Sequence, residues 1–141
     1  MRILIIGLWL AASSAFALDA ATVGRLGLGD GDEKIAAIAA LVAEGDAAAL
    51  ALLQAAADGE LQTSGKRVLI VKGEQAVYAA TGAQVAPLPE DRDDVILNNR
   101  IRREIGGAMA ALKLISPDRA VRLASAKELG GNADEAMLPL I

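Results

Sequence analysis

The chain has 141 residues, a formal net charge of −4, and neither cysteine nor histidine. This length gives room for one domain, and the negative charge gives no overall attraction to nucleic acid. The missing residue types exclude disulfides, thiolate metal sites and the commonest general base. We therefore expect no enzyme, no cofactor and no metal site. Of the residues, 54% are hydrophobic but only 2% are aromatic, which favours closely packed, alanine-rich helices.

The amino terminus has the layout of a secretory signal peptide. Met1 and Arg2 give a short positive start, residues 3–12 are apolar, and Ala15 and Ala17 are small residues at the positions that a signal peptidase reads. The apolar run is shorter than the roughly 20 residues that span a bilayer. The pattern predicts a signal peptide over 1–17. An uncleaved anchor and a buried helix are the alternatives.

Residues 18–58 are predicted to form a first helical hairpin. Apolar residues recur at helical spacing over 33–44, and an alanine- and leucine-rich segment follows over 47–57. We expect Asp32 to cap the first of these helices. The stop, start and stop signals that follow are Gly45, Asp46 and Gly59.

Residues 59–94 are predicted to be a β-hairpin insertion followed by an acidic linker. The β-branched segment 67–71 is expected to pair with 75–79, and 60–63 is expected to add a short edge strand. Prolines at 87 and 89 stiffen the exit, and four of the residues 90–94 are acidic. Strands of this size are not stable alone and must pack on a helix.

Residues 95–141 are predicted to be a second helical repeat region. A helix is expected over 99–115, with an apolar stripe formed by Ile101, Ile105, Ala108, Leu112 and Ile115. Ser116 and Pro117 signal the start of another helix, which is expected to reach Leu129. A loop over 130–132 would then precede a last helix. The expected fold class is mainly α, with HEAT-like antiparallel helical hairpins and a small β-hairpin.

One local concentration of basic residues lies in this last region. It comprises Arg100, Arg103, Arg119 and Arg122, together with Arg102. The four residues named first are a candidate protein-docking face. The alternative is a solvated helical face that balances the acidic run.

Three segments carry a resemblance to a known family: 60–68, 98–103 and 112–124. Their most distinctive elements are Asn98-Asn99-Arg100 and Ser116-Pro117-Asp118. From the signal peptide to Ile141, the sequence resembles the N-terminal extramembrane region of urea-type ABC transporter permeases, which belong to the branched-chain amino acid permease family. In that family this segment precedes a multi-span membrane domain. We expect the 141 residues to be truncated before such a domain, so no residue of the substrate pathway can be assigned here.

The resemblance implies a periplasmic domain of an importer for urea or short-chain amides, located at the bacterial inner membrane. The implied partners are a sister permease, an ATPase and a periplasmic solute-binding protein. Nucleic acid is not an expected partner, and membrane contact would come only through the missing domain or an uncleaved signal. The alternatives are a purely structural spacer, a free periplasmic helical-repeat binding protein and, third, a small secreted enzyme.

Overall fold

The computed structural model describes residues 17–137, with side chains described for residues 17–130. Of the predicted signal peptide, residues 1–16 lie outside the described residues. Five helices and five strands occupy the described part. The helices are α1 (Ala20–Leu28), α2 (Gly31–Glu44), α3 (Ala47–Ala57), α4 (Asn99–Leu114) and α5 (Arg119–Met137). The strands are β1 (Leu61–Ser64), β2 (Arg67–Lys72), β3 (Gln75–Tyr78), β4 (Gln84–Val85) and β5 (Arg92–Asp94).

The fold is mixed α/β, because all five strands join one antiparallel sheet in the order β4-β3-β2-β1-β5. The prediction of a mainly α chain with a small hairpin is wrong on this point. The predicted pairing of β2 with β3 is confirmed, with Ile70 opposite Val77. The strands that were not predicted, β4 and β5, are two and three residues long. Segments so short carry no period-two pattern that a sequence could reveal.

Helix α1 was also not predicted, and its sequence explains why. Gly24 and Gly27 lie inside it, and each lowers helix propensity by about 1 kcal/mol relative to alanine. Packing overrides that cost, because Val23 and Leu26 are 2% and 0% exposed in the core. Gly27 lies against β2 so closely that an added Cβ would come within 2.4 Å of a Val68 methyl carbon.

Helix α2 begins at a capping box rather than at the predicted cap. The Asp30 side chain accepts a hydrogen bond from the Glu33 backbone N–H, and the Glu33 side chain accepts one from Asp30 N–H. Asp32, the predicted cap, therefore lies in the first turn of the helix. The signals downstream are confirmed: Gly45 ends α2 in the left-handed conformation, and Asp46 caps α3.

Strand β1 is an interior strand, not the edge strand that the sequence suggested, because β5 pairs along its other side. The acidic run is consequently not a free linker: Asp93 and Asp94 belong to β5 and pair with Thr63 and Gln62. Sequence reasoning missed this pairing because the acidic residues face solvent and resemble a solvated connection.

The chain from β4 to β5 must cross the whole sheet. Val85 pairs with Ala76 near the β2–β3 turn, whereas Arg92 pairs with Ser64 near the β1–β2 turn, at the opposite edge. Residues 86–91, called the crossing segment below, connect the two edge strands along a path that bends at residues 87, 90 and 91.

One buried side chain of the sheet lies on the face that points away from the main core. Alternation along β2 puts Val68 on the helix side and Leu69 on the other side. Leu69 is nevertheless 0% exposed, which requires a cover on that outer face. Arg92 ties the crossing segment to β1, since its guanidinium donates to the Pro89 carbonyl at 2.7 Å and to the Gln62 side chain at 3.1 Å.

Helix α4 matches its prediction closely. Asn98 caps it by accepting a hydrogen bond from Ile101 N–H. The predicted stripe is buried except for its last member, since Ile115 follows the helix and is 59% exposed. The buried members are Ile101, Ile105, Ala108 and Leu112, which join the main core with residues from α1, α2, α3 and the sheet.

Helix α5 differs from its prediction at both places where a break was expected. It begins at Arg119 rather than at Ser116, because Ser116 and Asp118 use their side chains to close a turn on Asp118 N–H and Ala120 N–H. It also continues through the predicted loop at residues 130–132. Glycines make a helix less favourable by about 1 kcal/mol each, but they do not end it by themselves.

The contact between α1 and β2 can be tested with two glycines of the same helix. Gly27→Ala should lower the free energy of unfolding by about 1–3 kcal/mol, because the new methyl overlaps Val68. Gly24→Ala should raise it by up to about 1 kcal/mol, because nothing lies within 4 Å and alanine favours the helix. Urea denaturation followed by circular dichroism measures both. Equal effects of the two substitutions would contradict the close approach.

Candidate protein-docking surface

The four arginines of the predicted docking face lie on two helices. Arg100 and Arg103 are in the first turns of α4, whereas Arg119 and Arg122 begin α5. The two helices are antiparallel, because a short turn at residues 115–118 joins them and residues of both helices, among them Gly106 and Leu129, line one crevice. At 1.5 Å per residue, the length of α4 separates the two arginine pairs by about 20 Å. The structure therefore does not bring the four arginines together.

The arginines also differ in what they bind. The Arg122 guanidinium donates to the carbonyls of Ser116 and Pro117 at 2.6 and 2.9 Å, so it holds the α4–α5 turn together. Arg100 pairs with Asp32 at 3.4 Å, but the side chains are 64% and 89% exposed. An ion pair so exposed stabilises a fold by less than about 1 kcal/mol. Arg100 thus stays accessible to a partner, whereas Arg122 has a structural role.

An exposed isoleucine accompanies each pair, and sequence reasoning did not identify either as a surface residue. Ile96, just before α4, is 84% exposed, and Ile115, just after it, is 59% exposed. Ile115 still reaches back to Gly45, where an added Cβ would lie 3.3 Å from its Cδ1. We call Ile96, Arg100 and Arg103 the Ile96 patch. Ile96 and these two arginines lie within eight residues of the sequence, and an aliphatic side chain together with arginines is a composition that occurs in protein interfaces.

The clefts of the described part are shallow and mostly apolar. The cleft between α3 and strands β2 and β3 has a volume of about 210 Å³ and is lined by Leu18, Ala48, Ala51, Leu52, Ile70, Val77, Tyr78, Ala79 and Gly82. Apart from the Tyr78 hydroxyl, these side chains offer no hydrogen-bonding group. A small neutral amide needs several such groups to be held. The cleft is better suited to an aliphatic group than to urea.

Lys34 is the one buried charged side chain among residues 17–130, at 8% exposed. Its ammonium donates to the carbonyls of Leu26 and Gly27 at 3.0 and 3.1 Å, which satisfies the carboxyl end of α1. Burial lowers the pKa of Lys34, and the acids Glu33 and Asp30 partly oppose that shift. The signal was present in the sequence, since Lys34 falls on the same helix face as Ile38 and Leu41.

Asp19 caps α1 at the first described residues. Its carboxylate accepts from the Thr22 hydroxyl at 2.8 Å and from Thr22 N–H at 2.9 Å. The Thr22 hydroxyl is the main reason that the pKa of Asp19 lies below its usual value, and the Thr22 backbone adds to the effect. The carboxylate is thus committed to the helix terminus.

Two features are absent from the residues that the structure describes. Their acidic side chains form no group of three that could hold a metal ion. None of the helices between residues 17 and 137 has both the length and the apolar character needed to cross a membrane.

No protein-family model, no curated protein and no solved structure matches this chain.

The protonation of Lys34 gives a pH test. Between its lowered folded pKa and the usual lysine value of 10.5, the unfolded chain keeps a proton that the folded chain has lost. Stability should therefore rise with pH in that window. Lys34→Met should lack this rise. The free energy of unfolding of the wild type, measured by urea denaturation, should therefore increase relative to that of the variant from pH 8 to 10.5. Lys66→Met, at an exposed lysine, corrects for the loss of one ammonium. A difference in the free energy of unfolding between wild type and variant that stays constant with pH would contradict the burial of the charge.

Proposed function

We propose that this chain is the periplasmic N-terminal domain of an ABC importer permease for urea or short-chain amides, and that it acts by docking a protein subunit. The proposal is supported by the positions of the residues that carry the family resemblance. Asn98, of the first distinctive element, caps α4, and Ser116-Pro117-Asp118 forms the turn to α5. The two most distinctive elements of the resemblance are thus the ones that set the geometry of the α4–α5 pair.

We assign the docking role to the Ile96 patch. Ile96 lies almost fully in water, and burying such a side chain against a partner is worth about 1.5–3 kcal/mol. Arg100 and Arg103 lie on the first turns of the adjacent helix and supply charge at the rim. Rim charges speed association and select an acidic partner surface. The Ile115 end is less suited, because Arg122 is committed to the turn.

The helices are consistent with a HEAT-like arrangement, which we include in the proposal. Helices α2 and α3 are joined through Gly45 and Asp46, and α4 and α5 through residues 115–118. α4 packs against both α2 and α3. Two helical hairpins in contact are the minimal stack of such a repeat.

The docking proposal can be tested by paired substitutions in the full-length permease. Arg103→Glu combined with Ile96→Ser should weaken binding of the periplasmic solute-binding protein by about tenfold or more, because an aliphatic anchor and a rim charge are both lost. The arginine contribution should shrink at high salt. Arg119→Glu, the same charge reversal about 20 Å away, should change binding less than about twofold. Biolayer interferometry of the permease in nanodiscs measures these affinities.

Two other outcomes would contradict docking through the Ile96 patch. Equal losses for the Ile96 patch and for Arg119 would show that only general charge matters. Unchanged binding and unchanged transport in the double variant would favour the purely structural spacer.

The free binding-protein alternative is tested by the ligand itself. We expect no heat of urea binding to residues 18–141 in titration calorimetry at millimolar urea, because the apolar cleft offers so few hydrogen-bonding groups. Binding in that range, lost on substitution of Tyr78→Phe, would instead make the chain a receptor.

A further inference from the structure

Leu18, the residue that follows the predicted cleavage point, is built into the folded domain. Its side chain is 7% exposed and belongs to the main core. It forms one end of the cleft between α3 and the sheet, beside Leu52. Its backbone N–H donates to the Ala80 carbonyl, beyond the end of β3, at 2.9 Å. The preceding residue, Ala17, is exposed. Within the described residues, burial therefore begins on the carboxyl side of the predicted scissile bond.

The next residue completes the same structure. Asp19 caps α1 through Thr22, as described above. A cut after Ala17 leaves both Leu18 and Asp19 on the domain. A cut only two residues later would remove a buried leucine and a helix cap together.

We infer that Leu18 and Asp19 are an amino-terminal anchor, and that the bond between Ala17 and Leu18 is hydrolysed before this anchor is seated. The inference rests on the export step of the proposed function. Water adds across the amide, so that Ala17 keeps the new carboxylate and Leu18 the new amine, which takes up a proton. That ammonium has more donors than the amide it replaces, and it can still donate to the Ala80 carbonyl.

The order of events follows from access. A peptidase must bind the residues on both sides of the scissile bond, and in the folded domain Leu18 is held by side-chain burial and by its hydrogen bond to Ala80. Cleavage of a folded chain would require local opening of α1 and of this edge of the core. Such openings are rare in well-packed regions. Processing is thus expected on the unfolded chain.

The anchor is tested on chains that lack residues 1–17 and are released from a cleavable fusion partner with no extra residue at their amino terminus. A chain that begins at Ala20 should melt about 10 °C below one that begins at Leu18, because it lacks the buried leucine and the cap. Leu18→Ala should account for most of that loss. Leu28→Ala, at a leucine that is 48% exposed, should lower the melting temperature by no more than about 2 °C. Equal melting of the Leu18 and Ala20 chains would overturn the anchor.

The order is tested with the 1–141 precursor and purified signal peptidase in detergent. Leu52→Asp places a charge at a core position that is 1% exposed and should unfold the domain. Ala51→Asp, at the neighbouring exposed position, should leave it folded. The unfolded precursor should be cut at least about tenfold faster than the wild type and than Ala51→Asp. Equal rates, with circular dichroism confirming the two folding states, would overturn the order. Neither experiment measures transport, so the permease proposal is tested independently of both.

Discussion

The close approach of α1 to β2 is the contact on which the rest of the structure depends. Gly27 is its centre, because only a residue without a side chain lets the helix lie against Val68. The same residue and Leu26 present their carbonyls to the Lys34 ammonium of α2. The carboxyl end of this nine-residue helix therefore connects a strand with a second helix. The helical layer and the sheet are held together there by packing and by a buried charge at once.

The sequence predicts the parts of the fold that are specified locally. Helices α2, α3 and α4 have strong periodicity, and Gly45 and Asp46 are stop and start signals that act on their immediate neighbours. The hairpin of β2 and β3 is local too. Helix α1 and strand β5 are different, since each is stabilised by residues far along the chain. Glycines disfavour a helix and acidic residues disfavour a strand, so tertiary contacts and not local propensity determine the secondary structure of these two segments.

The candidate docking surface divides in the same way. Residue type alone identified the arginines, but their grouping depends on the antiparallel packing of α4 and α5. Only the fold shows that Arg122 is occupied by two carbonyls. Ile96 could not be identified from sequence because it lies between Val95, which packs on the core, and Leu97, which is 8% exposed. Three consecutive apolar residues do not reveal which of them faces solvent.

The crossing segment has a consequence for how the sheet meets other molecules. By carrying the chain to the far edge, it leaves the sheet with two very short borders, β4 on one side and β5 on the other. A strand border with unsatisfied backbone groups invites pairing with a second chain. Here one border offers only two residues, and the other presents the carboxylates of Asp93 and Asp94, which repel a like-charged copy of themselves. The acidic run thus protects the sheet from edge-to-edge aggregation.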